Sequence, residues 1–218
     1  MRRLVMPSTQ SKRAGIILDR DGTLIDFVRD EELGAVVSAF HPDHVRFFQG
    51  VVEGLRLLQD AGFVLAMATN QPGAAKGQVS LEAINRTNQA VVDRLAEHGV
   101  RIEAVEVCLH HTEGGPGGDA SLVRNCTCRK PHPGMLIALI EKLNLDPAKS
   151  WMIGDASVDV LAARGAGMQA GLIFDLGRCE MCPVKTGFDE IPMIRPDASA
   201  ARIDSLARHI LNPLHRRA

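Results

Sequence analysis

Short apolar runs alternate with longer amphipathic segments along most of the chain. The apolar runs end at glycine or polar residues, which is typical of buried strands, and the amphipathic segments have the spacing of helices that pack on a core. The apolar runs predict strands over residues 15–18, 63–68, 102–109, 150–153 and 168–174. The amphipathic segments predict helices over residues 50–61, 80–98, 133–143, 158–165 and 201–211.

This alternation of strands and helices predicts the α/β fold class, as a Rossmann-like three-layer sandwich around a mainly parallel sheet. The length of 218 residues fits one domain. We expect a flexible polar tail over residues 1–13 and a single domain over residues 14–218.

Composition narrows the classes of function. Hydrophobic residues make up 45% of the chain and charged residues 23%, so a core can form without disulfides. A net charge of −1 and scattered basic residues argue against a nucleic-acid partner. No apolar run approaches the roughly 18 residues of a membrane span, and the first residues do not form a secretory signal. We therefore expect a cytoplasmic monomer that acts on a small molecule and has no membrane partner.

Two carboxylates, those of Asp19 and Asp21, follow the first predicted strand directly, and Gly22 after them permits a sharp turn. One carboxylate can attack as a covalent nucleophile, while a second can protonate the leaving oxygen and later deprotonate water. These residues predict a phosphoryl-transfer site. The short motif by itself would also fit a turn or a calcium-binding loop.

Further polar residues follow other predicted strands or lie in the loops after them, namely Thr69, Lys130 and Asp155. Ligands of parallel sheets bind beyond the carboxyl ends of the strands, so these side chains can converge on the aspartates. A lysine and a threonine can hold phosphate oxygens. Mg²⁺ prefers oxygen ligands and is usually bound by one or two carboxylates with phosphate, which makes Asp155 the expected distant metal ligand.

Two pairs of metal-binding residue types, Cys108 with His110 and Cys126 with Cys128, lie on either side of the glycine-rich residues 112–125. In extended backbone, residues two apart point to the same side, so each pair can reach one ion. Three thiolates and one imidazole form a closed tetrahedral site, which predicts a structural Zn²⁺ that holds this loop. Buried cysteines without a metal are the alternative.

The zinc loop, residues 108–128, leads directly into Arg129 and Lys130. A metal in the loop would therefore fix the position of the lysine. A second pair, Cys179 and Cys182, could hold another metal or form a redox pair, although loosely buried thiols explain it as well.

Four segments of the chain resemble the motifs of the haloacid dehalogenase superfamily. They are Leu-Asp19-Arg-Asp21-Gly-Thr-Leu, Thr69-Asn70-Gln71, Arg129-Lys130-Pro131 and Gly154-Asp155-x-x-x-Asp159. The resemblance spans residues 14–175, with the motifs in order at predicted strand ends. It implies a fold of that superfamily with a minimal cap and a zinc-binding loop.

The resemblance also implies roles for single residues. Asp19 would be the nucleophile and Asp21 the general acid and base. Thr69, Asn70 and Lys130 would bind the phosphate.

Magnesium would be held by Asp19, the backbone carbonyl of Asp21, and Asp155. Asp159 would support Lys130 or the metal loop.

The Cys-Arg-Lys-Pro-His-Pro-Gly-Met segment narrows the resemblance to the branch that contains heptose bisphosphate 7-phosphatases and histidinol-phosphate phosphatases. A sugar bisphosphate is the expected substrate, with Arg129 and Arg20 as candidates for contacts to the sugar or the second phosphate. Lys76 and Ala156 depart from the residues common in the heptose enzymes. Histidinol phosphate, another sugar phosphate, transfer to an acceptor other than water, and a zinc-stabilised binding module without catalysis are the alternatives.

Overall fold

Strands and helices alternate along the chain in a computed structural model that describes residues 11–30, 35–175 and 195–212. The strands are β1 (Gly15–Leu18), β2 (Val28–Asp30), β3 (Ala35–Val37), β4 (Val64–Asn70), β5 (Ile102–Cys108), β6 (Trp151–Gly154), β7 (Gln169–Ile173) and β8 (Ala198–Ala200). The helices are α1 (Val51–Asp60), α2 (Leu81–Glu97), α3 (Gly134–Leu143), α4 (Ser157–Gly165) and α5 (Ile203–Leu211). Short 3-10 helices cover Pro42–His44, Ala120–Leu122 and Pro147–Lys149.

A parallel sheet in the order β5-β4-β1-β6-β7-β8 forms the centre of the described part of the molecule. β1 lies between β4 and β6, and Leu18 at its end is paired with Met67 and with Ile153. Because the strands run in the same direction, the residues that follow these three ends meet at one edge of the sheet. This topology confirms the predicted mainly parallel α/β fold.

Helices cover both faces of the sheet, since the buried side chains fall into two clusters. The first cluster joins side chains of α1, α2 and α5, and the second joins those of α3 and α4. β1 contributes to both, because Ile16 belongs to the first cluster and Ile17 to the second. The result is the predicted three-layer sandwich.

The predicted helices and the longer strands are present, with ends that differ by at most two residues. Ser80 caps α2 by accepting a hydrogen bond from the Ala83 backbone N–H at 3.1 Å, and Gly99 after the helix has a φ of +76°. Arg13 pairs with Leu145 across an isolated bridge, so the folded part begins before the predicted boundary at residue 14.

The sequence pattern did not predict the antiparallel hairpin β2–β3 or the edge strand β8. Each of these strands has three residues, which is too short to show a period. The hairpin lies between β1 and α1, where the sequence indicated room for a minimal cap only. No helix in the described ranges is long and apolar enough to cross a membrane. Cys179 and Cys182 lie outside the described residues.

Candidate active site

Three carboxylates and a lysine meet at the carboxyl edge of the sheet. Oxygens of Asp19, Asp155 and Asp159 lie within 4.8 Å of one another. Asp19 follows β1, Asp155 follows β6, and Asp159 lies in the first turn of α4. Lys130 reaches into this group, with its Nζ 2.8 Å from Asp19 Oδ1 and 2.7 Å from Asp159 Oδ1.

Lys130 is held from every side and is 3% exposed. Its Nζ also donates to the Ala68 carbonyl at 3.0 Å. Burial by itself would lower the pKa of Lys130, but the nearby carboxylates of Asp159 and Asp19 outweigh it and raise that pKa above the ordinary value. The lysine is therefore a fixed positive charge next to the predicted nucleophile.

The side chain of Asn70 positions this lysine. Its Nδ2 donates to the Lys130 carbonyl and its Oδ1 accepts from the Lys130 N–H, both at 3.1 Å. The Asn70 side chain thereby positions Lys130, and phosphate binding by Asn70 stays a prediction. The Thr69 hydroxyl accepts from Gln71 at 2.9 Å and can still donate, so it stays the predicted phosphate ligand.

Burial and the positive charge of Lys130 act on the Asp19 carboxyl group in opposite directions. Burial raises the pKa of its carboxyl group to about 6, although Lys130 opposes the shift. A divalent cation beside the carboxylate would remove this cost. The Asp159 carboxylate is engaged on both oxygens, by Lys130 Nζ and by the Ala156 N–H at 3.1 Å. Asp19 and Asp155 are thus the side chains placed to hold a metal.

The loop after β1 brings Asp155 close to the nucleophile. Gly22 has a φ of +80°, and a Cβ atom there would lie 2.2 Å from Asp155 Oδ2, so only glycine fits. Thr23 donates to Asp155 Oδ1 at 3.2 Å. A set of carboxylate oxygens beside a backbone turn suits Mg²⁺, which takes hard oxygen ligands, and no other ligand type is present in the group.

Buried polar side chains hold the Asp21 carboxylate. Arg20 donates to both of its oxygens, from Nε at 3.1 Å and from Nη2 at 2.9 Å, and Gln71 donates to Oδ2 at 2.6 Å. The carboxylate is therefore not a metal ligand in this geometry, which agrees with the implied use of the Asp21 backbone carbonyl.

Arg20 is 0% exposed and cannot reach a ligand in solution. This position does not fit the prediction that it contacts the substrate; the guanidinium instead orients Asp21. Gln71 was not among the predicted site residues. Its place directly after Thr69 and Asn70 was the available signal, because residues two apart at a strand end point the same way.

The predicted zinc ligands come together in the loop after β5. Cys108 Sγ lies 3.7 Å from Cys126 Sγ and 3.2 Å from Cys128 Sγ, and His110 Nδ1 lies 3.2 Å from Cys128 Sγ and 3.8 Å from Cys108 Sγ. Tetrahedral Zn²⁺ requires sulfur–sulfur separations of about 3.8 Å and nitrogen–sulfur separations of about 3.6 Å. The four side chains therefore fit this ion with small movements.

Burial raises the pKa of the Cys108 thiol well above its ordinary value, so a thiolate at this position needs a cation. The neighbouring His111 is turned elsewhere, and its Nδ1 accepts from the Glu113 N–H at 3.0 Å. His110 is the imidazole that faces the three sulfurs.

The zinc loop also packs backbone to backbone on the segment that follows Gln71. The Asp119 N–H donates to the Ala74 carbonyl at 3.0 Å. A Cβ atom at Gly115 would lie 2.2 Å from the Lys76 carbonyl oxygen, and one at Gly118 would lie 2.1 Å from the Ala75 oxygen. The glycines thus permit this close approach, and the loop contacts both flanks of the active site.

Comparisons with known proteins agree with this geometry. A family model described as HAD-hydrolase-like matches residues 127–178. A D-glycero-beta-D-manno-heptose-1,7-bisphosphate 7-phosphatase of Pasteurella multocida is 36% identical over 167 residues, which cover 76% of this chain and 84% of the relative. The chain belongs to the haloacid dehalogenase superfamily of phosphatases. A relative of the same description from Escherichia coli K12 is 33% identical over 165 residues, which cover 75% of this phosphatase and 80% of the relative.

Solved structures share the fold of this phosphatase. A D,D-heptose 1,7-bisphosphate phosphatase from B. bronchiseptica, complexed with magnesium and phosphate, matches with a TM-score of 0.70 and 24% identity, over 91% of this chain and 98% of the other. A D,D-heptose 1,7-bisphosphate phosphatase from Burkholderia thailandensis matches with a TM-score of 0.57 and 19% identity, over 92% and 99%. Both confirm the predicted fold class.

Proposed function

We propose that this phosphatase removes one phosphate from D-glycero-D-manno-heptose 1,7-bisphosphate, at position 7, in a magnesium-dependent reaction through an aspartyl phosphate on Asp19. The supporting observation is the combination of a site built from Asp19, Asp21, Lys130 and Asp155 with relatives of that activity at 33 to 36% identity. Those relatives are matched over most of their length.

The first step forms the covalent intermediate. A carboxylate oxygen of Asp19 attacks phosphorus, the bond from phosphorus to the sugar oxygen breaks, and Asp21 gives that oxygen its proton. The Thr69 hydroxyl donates to a phosphoryl oxygen, while Lys130, whose three N–H donors are already used within the protein, stabilises the shifting charge as a fixed cation. When bound between Asp19, the Asp21 carbonyl and Asp155, Mg²⁺ would reduce the repulsion between the carboxylate and the phosphoryl oxygens.

The second step regenerates the free enzyme. Asp21, now a carboxylate, takes a proton from water, the water oxygen attacks phosphorus, and the bond from phosphorus to Asp19 breaks. Inorganic phosphate leaves. Because the proton is first given and then taken by the same side chain, the overall reaction is hydrolysis without a further co-reactant.

Arg129 is our candidate for the contact to the second phosphate. Among the described residues its guanidinium has one hydrogen bond, from Nη1 to the His110 carbonyl at 3.3 Å. That bond attaches the Arg129 side chain to the zinc loop. The remaining N–H groups of the planar guanidinium suit bidentate binding of a phosphate. A structural Zn²⁺ on Cys108, His110, Cys126 and Cys128 would hold this arrangement.

Release of inorganic phosphate tests the proposal. We expect turnover of the heptose bisphosphate in the presence of Mg²⁺, far slower turnover of histidinol phosphate, and none without a divalent ion. Asp19→Asn should abolish turnover while the variant stays folded. Preference for histidinol phosphate would refute the substrate, and turnover by Asp19→Asn would refute the nucleophile.

A further inference from the structure

A buried polar layer lies behind Asp21, on the side away from the metal group. It consists of Arg20, Gln71 and Asn88, which are 0%, 0% and 5% exposed. Asn88 belongs to α2, outside every motif of the sequence, and it reaches the layer through one hydrogen bond, from Arg20 Nη1 to its Oδ1 at 2.6 Å. This short bond connects a helix to the catalytic loop.

Arg20 is held rigidly by its neighbours. A guanidinium has five N–H donors. Two bind Asp21, one binds Asn88, and one binds the Ala39 carbonyl at 3.0 Å. A buried cation is costly unless it is paired and hydrogen-bonded, so loss of one acceptor should let the guanidinium turn or admit water. Either change would alter the hydrogen bonds from Arg20 to Asp21.

The hydrogen bonds to Asp21 are unequal. Its Oδ2 accepts two, from Arg20 and from Gln71, while its Oδ1 accepts one, from Arg20. An ionised carboxylate has about four acceptor positions, so the remaining one is on Oδ1. Since Asp21 is 9% exposed and adjoins the metal group, Oδ1 is the atom that a substrate oxygen or water can meet.

We propose that Asn88 is a positioning residue that acts through Arg20 and selects Oδ1 of Asp21 as the atom that exchanges the proton. The inference rests on the proposed role of Asp21 as general acid and base. Asn88 fits no other purpose within the described residues: its Nδ2 has no hydrogen-bond partner there, so the Oδ1 acceptor explains why this buried position is polar.

Two substrates with different leaving groups distinguish a loss of acid positioning from a general structural effect. An alkyl sugar phosphate needs its leaving oxygen protonated, whereas p-nitrophenyl phosphate releases a stable phenolate without help. The ratio kcat/KM reports the steps up to breakage of the first phosphorus–oxygen bond, so it isolates the acid role from later attack of water.

Asn88→Leu keeps the number and branching of the side-chain heavy atoms and removes the acceptor. We expect its kcat/KM to fall about tenfold or more for the alkyl phosphate and by less than about twofold for p-nitrophenyl phosphate. Asn88→Asp keeps an acceptor in the same place and loses no partner of Nδ2, so it should restore most of the alkyl activity. Thr87→Val is the matched control, since Thr87 is equally buried on α2 and its hydroxyl bonds the Ala83 carbonyl of its own helix.

Equal loss on both substrates, no loss on either, or an Asn88→Asp variant as slow as Asn88→Leu would each overturn the inference. A second measurement needs no substrate. The Arg20 Nε–H signal in a nitrogen–proton NMR spectrum should exchange slowly with water in the wild type and in Thr87→Val, and quickly in Asn88→Leu. Unchanged exchange in Asn88→Leu would overturn the inference, whatever the substrate of the enzyme. Failure of the wild type to hydrolyse heptose bisphosphate would count against the proposed substrate alone.

Discussion

At the scale of single residues, the active site is a balance of buried charges. Lys130 lies between two carboxylates, and the Asp19 carboxylate remains destabilised by burial despite that contact. A buried group of this kind binds a proton or a cation to recover stability. The metal and the proton therefore compete for Asp19.

This competition predicts how magnesium binding depends on pH. The pKa of Asp19 is raised to about 6, so below that pH the ion must displace a proton. We expect the apparent Mg²⁺ affinity to be nearly constant above about pH 7 and to fall by about tenfold per unit well below pH 6. Isothermal titration at pH 5, 6 and 7.5 measures it. An affinity unchanged across this range would contradict the raised pKa.

The same shift sets the sign of a stability effect in the metal-free protein. The folded pKa of Asp19 lies above its unfolded value, so its contribution favours the folded state at low pH and is lost as pH rises through about 6. Each magnesium titration is therefore compared with the metal-free protein at the same pH.

The ion pair of Asp159 with Lys130 is buried, whereas that of Glu53 with Arg208 is exposed. We expect the two pairs to differ in their contribution to the free energy of unfolding. Asp159→Asn removes one of the two charges that stabilise Lys130, both side chains being at most 2% exposed, and should cost about 3 to 5 kcal/mol of unfolding free energy. Glu53→Gln removes the exposed partner of Arg208 and should cost less than about 1 kcal/mol. Urea unfolding of both variants measures the difference, and equal losses would contradict the charge balance.

The sequence predicted the identities of these residues better than their directions. Asp19 and Asp155 could be placed because each follows a strand whose end is recognisable, and Lys130 because it comes directly after the zinc loop. The inward turn of Arg20 and the support from Asn88 could not be predicted, since both depend on how α2 packs behind the loop. A charged residue next to a catalytic aspartate is as compatible with substrate contact as with burial.

At the scale of elements, the zinc loop links three parts of the site. It begins at β5, continues into Arg129 and Lys130, and packs by its glycines on the residues after Gln71. A segment so rich in glycine has a high entropy cost of ordering, and a metal offsets that cost. Spacing of the cysteines and histidine was enough to predict which four side chains come together, while the glycine contacts required the folded chain.

Neighbouring histidines allow a matched test of this loop. His110→Ala should reduce bound zinc, raise KM and lower kcat together, and expose the loop to protease, because the loop that leads into Arg129 and Lys130 loses a metal ligand. His111→Ala should leave all four readouts near the wild type, since the His111 side chain bonds only the backbone of Glu113 in the described structure. Elemental analysis with steady-state kinetics and limited proteolysis provides the data. Full zinc content in His110→Ala would contradict the assignment.

At the scale of the whole molecule, parallel strand order explains why distant residues share one site. β1 lies between β4 and β6, so the ends that carry Asp19, Thr69 and Asp155 are adjacent although the residues are far apart in sequence. The alternating pattern predicted this edge, because parallel strands have their carboxyl ends together. It could not predict β8 or the hairpin β2–β3, whose few residues take their structure from neighbours rather than from their own pattern.

A site that joins strands across the sheet should couple metal binding to global unfolding. Mg²⁺ at a free concentration of 100 times its dissociation constant stabilises the folded state by about 2.7 kcal/mol. For a chain of this size that corresponds to a rise in Tm of roughly 5 to 10 °C. Asp155→Asn removes a ligand at the end of β6 and should abolish most of the rise, whereas Glu53→Gln on α1 should retain it. Calorimetry with and without Mg²⁺ at pH 7.5 makes the comparison; an equal rise in both variants would mean that the ion binds away from the junction of β1 and β6.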